Sequence, residues 1–346
     1  MSIHKFALTG MVALASVGMT SNAMANGRNP GSLLLFPEFD NRSSHLTLLT
    51  VTNTNTGVNP DGSDGSIKVE FIYIGKYDHY ENTLNCLEFN RTETLTANDT
   101  LSLITAHHNP QQEQGYVYAF AKDRVTGRAK VFNHLIGNLM TLESLDQLEY
   151  SMNPVVFKGI GNAQTGVTDL DNDNVRDLDG VEYEAVPEEI LIPRFIGSGG
   201  AFDSELILIG LSGGTAFDTI ADFWVYNDNE EAFSAQYQFR CWDRVRLEDI
   251  NGVFTQDFLK YNTNHDDDEI VGAEDVESGW MRVYGGTAFS TAEQILNPAI
   301  YAVLIERIGG YGAADLPFES VATQNNGDLL ARGIFGDPSG GNGDNQ

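Results

Sequence analysis

Two acidic runs carry the side-chain spacing of a hard-cation site. In Asp169-Leu170-Asp171-Asn172-Asp173-Asn174-Val175-Arg176-Asp177, carboxylates fall at positions 1, 3, 5 and 9 and the backbone carbonyl of Val175 at position 7, the order in which a loop wraps Ca²⁺. Asn174 stands where a glycine usually turns the chain, and Asn tolerates the left-handed conformation required there. Gly180 occupies position 12 and offers no carboxylate, so closure of the site falls to Asp179, Glu182 or Glu184. In a second run, Asn264, Asp266, Asp268, the Ile270 carbonyl and Asp275 take positions 1, 3, 5, 7 and 12, although Glu269 at the turn position weakens the match. Both runs are read as calcium loops with affinity on the order of 10⁻⁴ to 10⁻³ M, against the plainer alternative of solvated acidic turns.

Other chemistry is weaker. Ser212 lies in Gly210-Leu211-Ser212-Gly213-Gly214, which fits a hydrolase nucleophile elbow, but that elbow needs a parallel sheet and a following helix, and the surroundings read antiparallel. His107 and His108 are adjacent, so on a strand they would point to opposite faces and could not grip one ion. Acids are abundant, and nothing singles out the pair that glycoside hydrolysis needs. Trp224, Trp242 and Trp280 fall where strand alternation would bury them, and a sugar platform would need them exposed and coplanar, so core packing is expected. The chain has no glycine-rich phosphate loop leading from strand to helix, no CxxC and no basic patch, which argues against nucleotide and nucleic-acid binding.

The elements that must position these residues are short and repetitive. Spans such as Ile67-Val69-Phe71-Tyr73 alternate with a period of two, and clusters such as Asn53-Thr54-Asn55-Thr56-Gly57 and Ser212-Gly213-Gly214 supply turns between them. Short helices are expected only at Thr291 to Leu296 and Leu142 to Leu148. The second half of the chain also repeats the first. Leu34-Leu35-Phe36-Pro37-Glu38-Phe39 matches Ile190-Leu191-Ile192-Pro193-Arg194-Phe195, Ser44-His45-Leu46 matches Ser204-Glu205-Leu206, and Gly115-Tyr116 matches Gly279-Trp280, with shifts of about 156, 160 and 164 residues. The expected fold is therefore all-β: two tandem homologous antiparallel β-sandwich domains, Ig-like or jelly-roll, arising from an internal duplication.

Residues 1–25 read as a signal peptide, with Lys5 before an apolar stretch and Ala23-Met24-Ala25 as the cleavage site. Domain one is expected at 31–159, an acidic linker with the first calcium loop at 160–186, domain two at 187–322, and a Gly/Asn/Asp-rich, partly disordered tail at 323–346. With 20 Lys plus Arg against 49 Asp plus Glu, the surface repels nucleic acid and anionic lipid and recruits cations. No later apolar run is long enough to span a bilayer, so membrane insertion is not expected. The only two cysteines, Cys86 and Cys241, sit at matching places of the two copies, and in an oxidising compartment they are expected to form one disulfide between the domains. These readings converge on an exported, extracellular, cell-surface or periplasmic protein without catalysis, structural or adhesive, binding surface or matrix components such as glycans. The rivals are a secreted polysaccharide hydrolase, marked by an interdomain cleft holding a carboxylate of raised pKa, and a small-ligand carrier using the same cleft.

Overall fold

The computed structural model describes residues 29–57, 64–76, 86–144, 148–227, 229–261 and 276–329. The signal segment and the second acidic run, Asn264 to Asp275, lie outside the described residues. The chain is nearly all β, in several antiparallel sheets. Its first nine strands are β1 (Leu33–Asp40), β2 (His45–Asn53), β3 (Ile67–Lys76), β4 (Leu87–Leu95), β5 (Thr100–Ile104), β6 (Gln114–Lys122), β7 (Leu135–Glu143), β8 (Leu148–Met152) and β9 (Val155–Phe157). They form one sheet ordered β4-β3-β6-β1-β9 and another ordered β5-β2-β7-β8.

Two short strands, β10 (Asp177–Leu178) and β11 (Val186–Pro187), lead into the second half. There follow β12 (Ile190–Ile196), β13 (Glu205–Gly210), β14 (Asp218–Asn227), β15 (Ala232–Arg240), β16 (Trp242–Arg246), β17 (Ser278–Phe289), β18 (Gln294–Leu296), β19 (Ile300–Ile308), β20 (Tyr311–Ala314) and β21 (Phe318–Glu319). One sheet is ordered β15-β14-β17-β12-β21, with β18 beside β17, and the other β16-β13-β19-β20. Apart from β18, each strand takes the place in its sheet that its counterpart takes in the first half.

The repeated sequence features sit at repeated structural places. The ladder between β1 and β6 slips between Phe36 and Phe39, and that between β12 and β17 slips between Ile192 and Phe195. Pro37 and Pro193 fall inside these two bulges, where the ladder asks for no N–H. Beyond each bulge a phenylalanine faces a glycine, Phe39 opposite Gly115 and Phe195 opposite Gly279. A β-carbon at Gly115 would lie 2.0 Å from the Ile74 carbonyl oxygen, and one at Gly279 2.5 Å from that of Tyr226, so neither place admits a side chain.

Neither expected helix forms. Leu142 belongs to β7, Leu148 opens β8, and Gln294–Leu296 is β18, paired with Thr287 to Phe289, because cross-strand pairing overrides weak local helix preference. Among the described residues the α-helices are the short α1 (Thr105–His108), α2 (Leu247–Ile250) and α3 (Gln256–Tyr261).

Buried apolar side chains of both halves join in one connected core. All eight residues of β1 are buried, and full burial of a side chain such as Phe36 stabilises by about 1.5–3 kcal/mol. Across the junction Cys86 and Cys241 form a disulfide with α-carbons 5.9 Å apart, as the sequence leads one to expect. Nearby, Trp242 Nε1 donates to the Pro37 carbonyl at 2.8 Å. Beneath it lies a buried charge network. Arg244 of β16 reaches Glu38 at 2.7 Å, Glu143 at 2.6 Å and Glu205 at 2.6 Å, and Arg307 reaches Glu205 at 3.1 Å and Glu143 at 3.4 Å. The Tyr150 hydroxyl donates to the other oxygen of Glu38.

The chain beyond β21 turns back. β22 (Thr323–Gln324) pairs with β11, and β23 (Gly327–Asp328) pairs with β10, so residues 323–328 bind the acidic linker and its end in two short ribbons.

Candidate metal centre

The linker enters the acidic loop from Thr168, whose hydroxyl meets the Tyr183 hydroxyl at 2.9 Å in the interior. Side chains then turn the backbone. The N–H of Asp173 donates to Asp171 Oδ1 at 3.2 Å, and that of Val175 to Asp173 Oδ1 at 2.8 Å. Asn172 and Asn174 adopt φ of 64° and 63°, the left-handed geometry that Asn bears best after Gly. A second reversal follows. Asp179 Oδ1 accepts from Val181 and Glu182 N–H, and the Gly180 N–H donates to the Tyr183 carbonyl, which swings Glu182 back towards the loop.

Two overlapping triads result. Carboxylate oxygens of Asp169, Asp171 and Asp173 lie within 4.8 Å of one another, and so do those of Asp171, Asp177 and Glu182. Asp171 belongs to both. Glu182 thus fills the gap that Gly180 leaves at position 12. Of the other two candidates, Asp179 caps the turn, and Glu184 binds the Lys158 N–H at 2.9 Å and its ammonium at 3.8 Å. Val175 is buried at the centre of the loop.

Negative charge is concentrated in this loop. Five carboxylates converge, and Arg176, with Nη2 3.3 Å from Asp169 Oδ2, is a buried positive charge set against them. Like charges about 4 Å apart repel by about 4 kcal/mol per pair at an effective dielectric of 20. Burial pushes the Asp177 carboxyl up to about 6, helped by Asp173, Asp179 and Asp171. Burial likewise raises Glu182 to about 7, with Asp177 adding to it while the Leu170 N–H and Arg176 oppose. Asp169 Oδ1 and Glu182 Oε2 are buried with no hydrogen-bond partner. A buried carboxylate oxygen without a donor is costly, and a metal ion removes that cost. An all-oxygen donor set suits Ca²⁺ better than zinc or copper, which favour nitrogen and sulfur.

The remaining sequence candidates lie elsewhere in the fold. Ser212 Oγ donates to the Asn326 carbonyl at 2.7 Å and accepts from the Ala299 N–H at 2.8 Å, which pins two loops. His107 and His108 lie in α1, not on a strand. His108 Nδ1 meets the Tyr73 hydroxyl at 2.7 Å, and its Nε2 lies 3.5 Å from Glu93. Trp242 is buried as expected, but Trp224 and Trp280 are not: they are 42% and 38% exposed. The inward phase of β14 is taken by Phe223 and Val225, so Trp224 between them must face out.

A cleft of about 1460 Å³ lies between the halves, lined by Ile136 and Val156 from the first and by Arg194, Tyr301, Glu306 and Glu319 from the second. Burial raises the Glu319 carboxyl to about 7, although the Tyr301 hydroxyl, donating to it at 2.9 Å, pulls the other way. The folded protein therefore holds a proton here that the unfolded chain releases near 4.5. The associated stability is present below 4.5 and is lost as pH rises through about 7. In EDTA, the melting temperature is expected to fall between pH 4.5 and 7.5, and Glu319→Gln should flatten part of that fall. An unchanged slope in the variant would show that Glu319 carries no such proton.

No protein-family model matches the chain, and no curated protein sequence matches it. Among the described residues no helix is long and apolar enough to cross a membrane, and the disulfide points to an oxidising compartment.

Proposed function

We propose that this chain is an exported structural or adhesive protein of the cell surface or matrix, without catalysis, in which calcium locks the linker between two homologous β-sandwich units. The matching strand orders and the paired proline bulges support duplication. In each half strands of the two sheets pack on each other, β1 on β7 and β12 on β19, which supports the sandwich. The observation that carries the calcium reading is the five-carboxylate cluster with its two buried, unpartnered oxygens. Asp169, Asp171, Asp173, Asp177, Glu182 and the Val175 carbonyl would hold the ion. It would neutralise the loop whose end pairs with β23, and so clamp the linker, the first half and the C-terminal strands together.

The test is a calorimetric melt of the mature protein in EDTA and in millimolar Ca²⁺. With affinity in the range typical of extracellular modules, 1 mM calcium should add about 0.4–1.4 kcal/mol, or on the order of 1–3 °C. Asp171→Ala and Asp173→Ala, both at partly or fully exposed positions, should each abolish the shift. Identical melting with and without calcium would refute the reading.

The interdomain cleft with its raised Glu319 is what the hydrolase reading asks for. That reading ranks second because glycoside hydrolysis needs two working carboxylates. The neighbouring Glu306 is engaged by Arg194 through two contacts of 3.0 and 2.6 Å. A polysaccharide-cleaving activity lost in Glu319→Gln would reverse the ranking.

A further inference from the structure

We propose that the outward face of β14 and β17 is a binding platform for a neutral, hydroxyl-rich glycan. This rests on the surface-binding reading above and names its partner class and its site. Side chains pointing outwards on these strands include Trp224 and Tyr226 on one and Trp280, Arg282 and Tyr284 on the other, with Tyr226 directly opposite Trp280 and Trp224 opposite Arg282. The Tyr226 and Trp280 rings stack at 4.5 Å with an 11° interplanar angle. Trp224 Nε1 donates to the Tyr284 hydroxyl at 2.9 Å. Both indoles are thus held in place before any ligand arrives, which lowers the entropy that binding must overcome.

The chemistry around the rings selects the ligand. A groove of about 490 Å³ beside Trp224 is lined by Asp222, Ser234, Gln236, Asn251 and Tyr284, a carboxylate, two amides and two hydroxyls set against an aromatic wall. Such a mixture matches a pyranose, whose ring carries an apolar C–H face and a rim of hydroxyls. Arg282, the cation on this face, is paired with Glu189 at 2.7 Å, and the chain carries a net charge of −29. An anionic glycan would find no complementary charge here.

The first half shows that this face is an optional site. Ile72 and Tyr116 stand in the places of Trp224 and Trp280, and both are buried. Further along the same strand as Tyr116 the chain crosses this face itself. Arg176 of the acidic loop lies 4.9 Å over the Phe120 ring, and the Tyr118 hydroxyl donates to the Leu329 carbonyl at 2.8 Å. In the second half the same face holds larger, exposed rings.

The test is affinity electrophoresis of the mature protein in gels carrying hydroxyethylcellulose, laminarin or galactomannan, with alginate as the anionic control and decaproline as a competing peptide. At least one neutral polymer should retard the protein, and Trp224→Ala and Trp280→Ala should each weaken that retardation roughly tenfold or more. Trp224→Phe should keep part of it. Both residues are exposed, so the variants should melt like the wild type. Ligand should also perturb wild-type tryptophan emission, since two of the three indoles lie on the platform. Retardation equal in wild type and variants, displacement by decaproline, or no retardation by any neutral polymer overturns the platform, and calcium-dependent melting is scored separately. Retardation accompanied by new reducing ends supports the platform and overturns only the non-catalytic reading.

Discussion

Arg244→Met is expected to lower the folding stability by about 3–5 kcal/mol, because it leaves buried carboxylates without their main counter-charge. Glu143 and Glu205 would then keep Arg307, whereas Glu38 would lose the arginine that reaches it. Glu38 already shows the strain of the arrangement. Burial raises its carboxyl from the ordinary 4.5 to about 7, even though Arg244 opposes the shift. In the variant that opposition disappears, so the loss should be larger at pH 8 than at pH 5, where Glu38 takes up a proton. Adding Glu38→Gln to Arg244→Met should return part of the loss at pH 8. Urea denaturation of the three proteins at both pH values decides the matter. A single variant within about 1 kcal/mol of wild type would show that the network is solvated and contributes little.

Changing both Cys86 and Cys241 to Ser should cost about 2–5 kcal/mol, towards the upper end because the bridge closes so long a stretch of chain. The two cysteines are 155 positions apart and join the halves directly. Cys241 directly precedes Trp242 and lies three positions before Arg244, at the same junction, so the loss should not add simply to that of Arg244→Met. The check is a pair of melting curves for wild type and variant, with the wild type repeated under reductant. If reduction leaves the wild-type melt in place, the junction is held by packing and charge alone.

Several of these features were legible in the linear sequence because they are local. Period-two alternation identifies strands, and the repeated prolines and glycines pick out positions that the two halves of the fold treat alike. Asn174 was assigned the left-handed turn it adopts. The matching cysteines foretold their bond. What escaped notice depends on residues far apart in the chain. Among Asp179, Glu182 and Glu184, all open as closing residues from the sequence, the choice of Glu182 depends on the reversal that Asp179 and Gly180 impose before it. Arg244, Glu38 and Glu143 each read as a polar residue on an ordinary strand, and nothing local says that three strands bring them together away from water. Trp224 was misjudged for a different reason. In Phe223-Trp224-Val225-Tyr226 both phases are apolar, so alternation cannot choose the inward one, and the choice is made by Phe254, which packs on Phe223 with ring centroids 5.8 Å apart.

The bond between Cys86 and Cys241 also governs how the molecule behaves under load. Tension applied at the two ends of the chain would pass from one sulfur to the other and bypass everything between them, from β4 through the linker to β15. That stretch of 155 positions would otherwise lengthen by roughly 500 Å when drawn straight. Under oxidising conditions the strands before Cys86 and after Cys241 peel first and the middle stays slack. The extension available under load is then limited to the segments outside the bridge, and reduction of a single bond releases the rest.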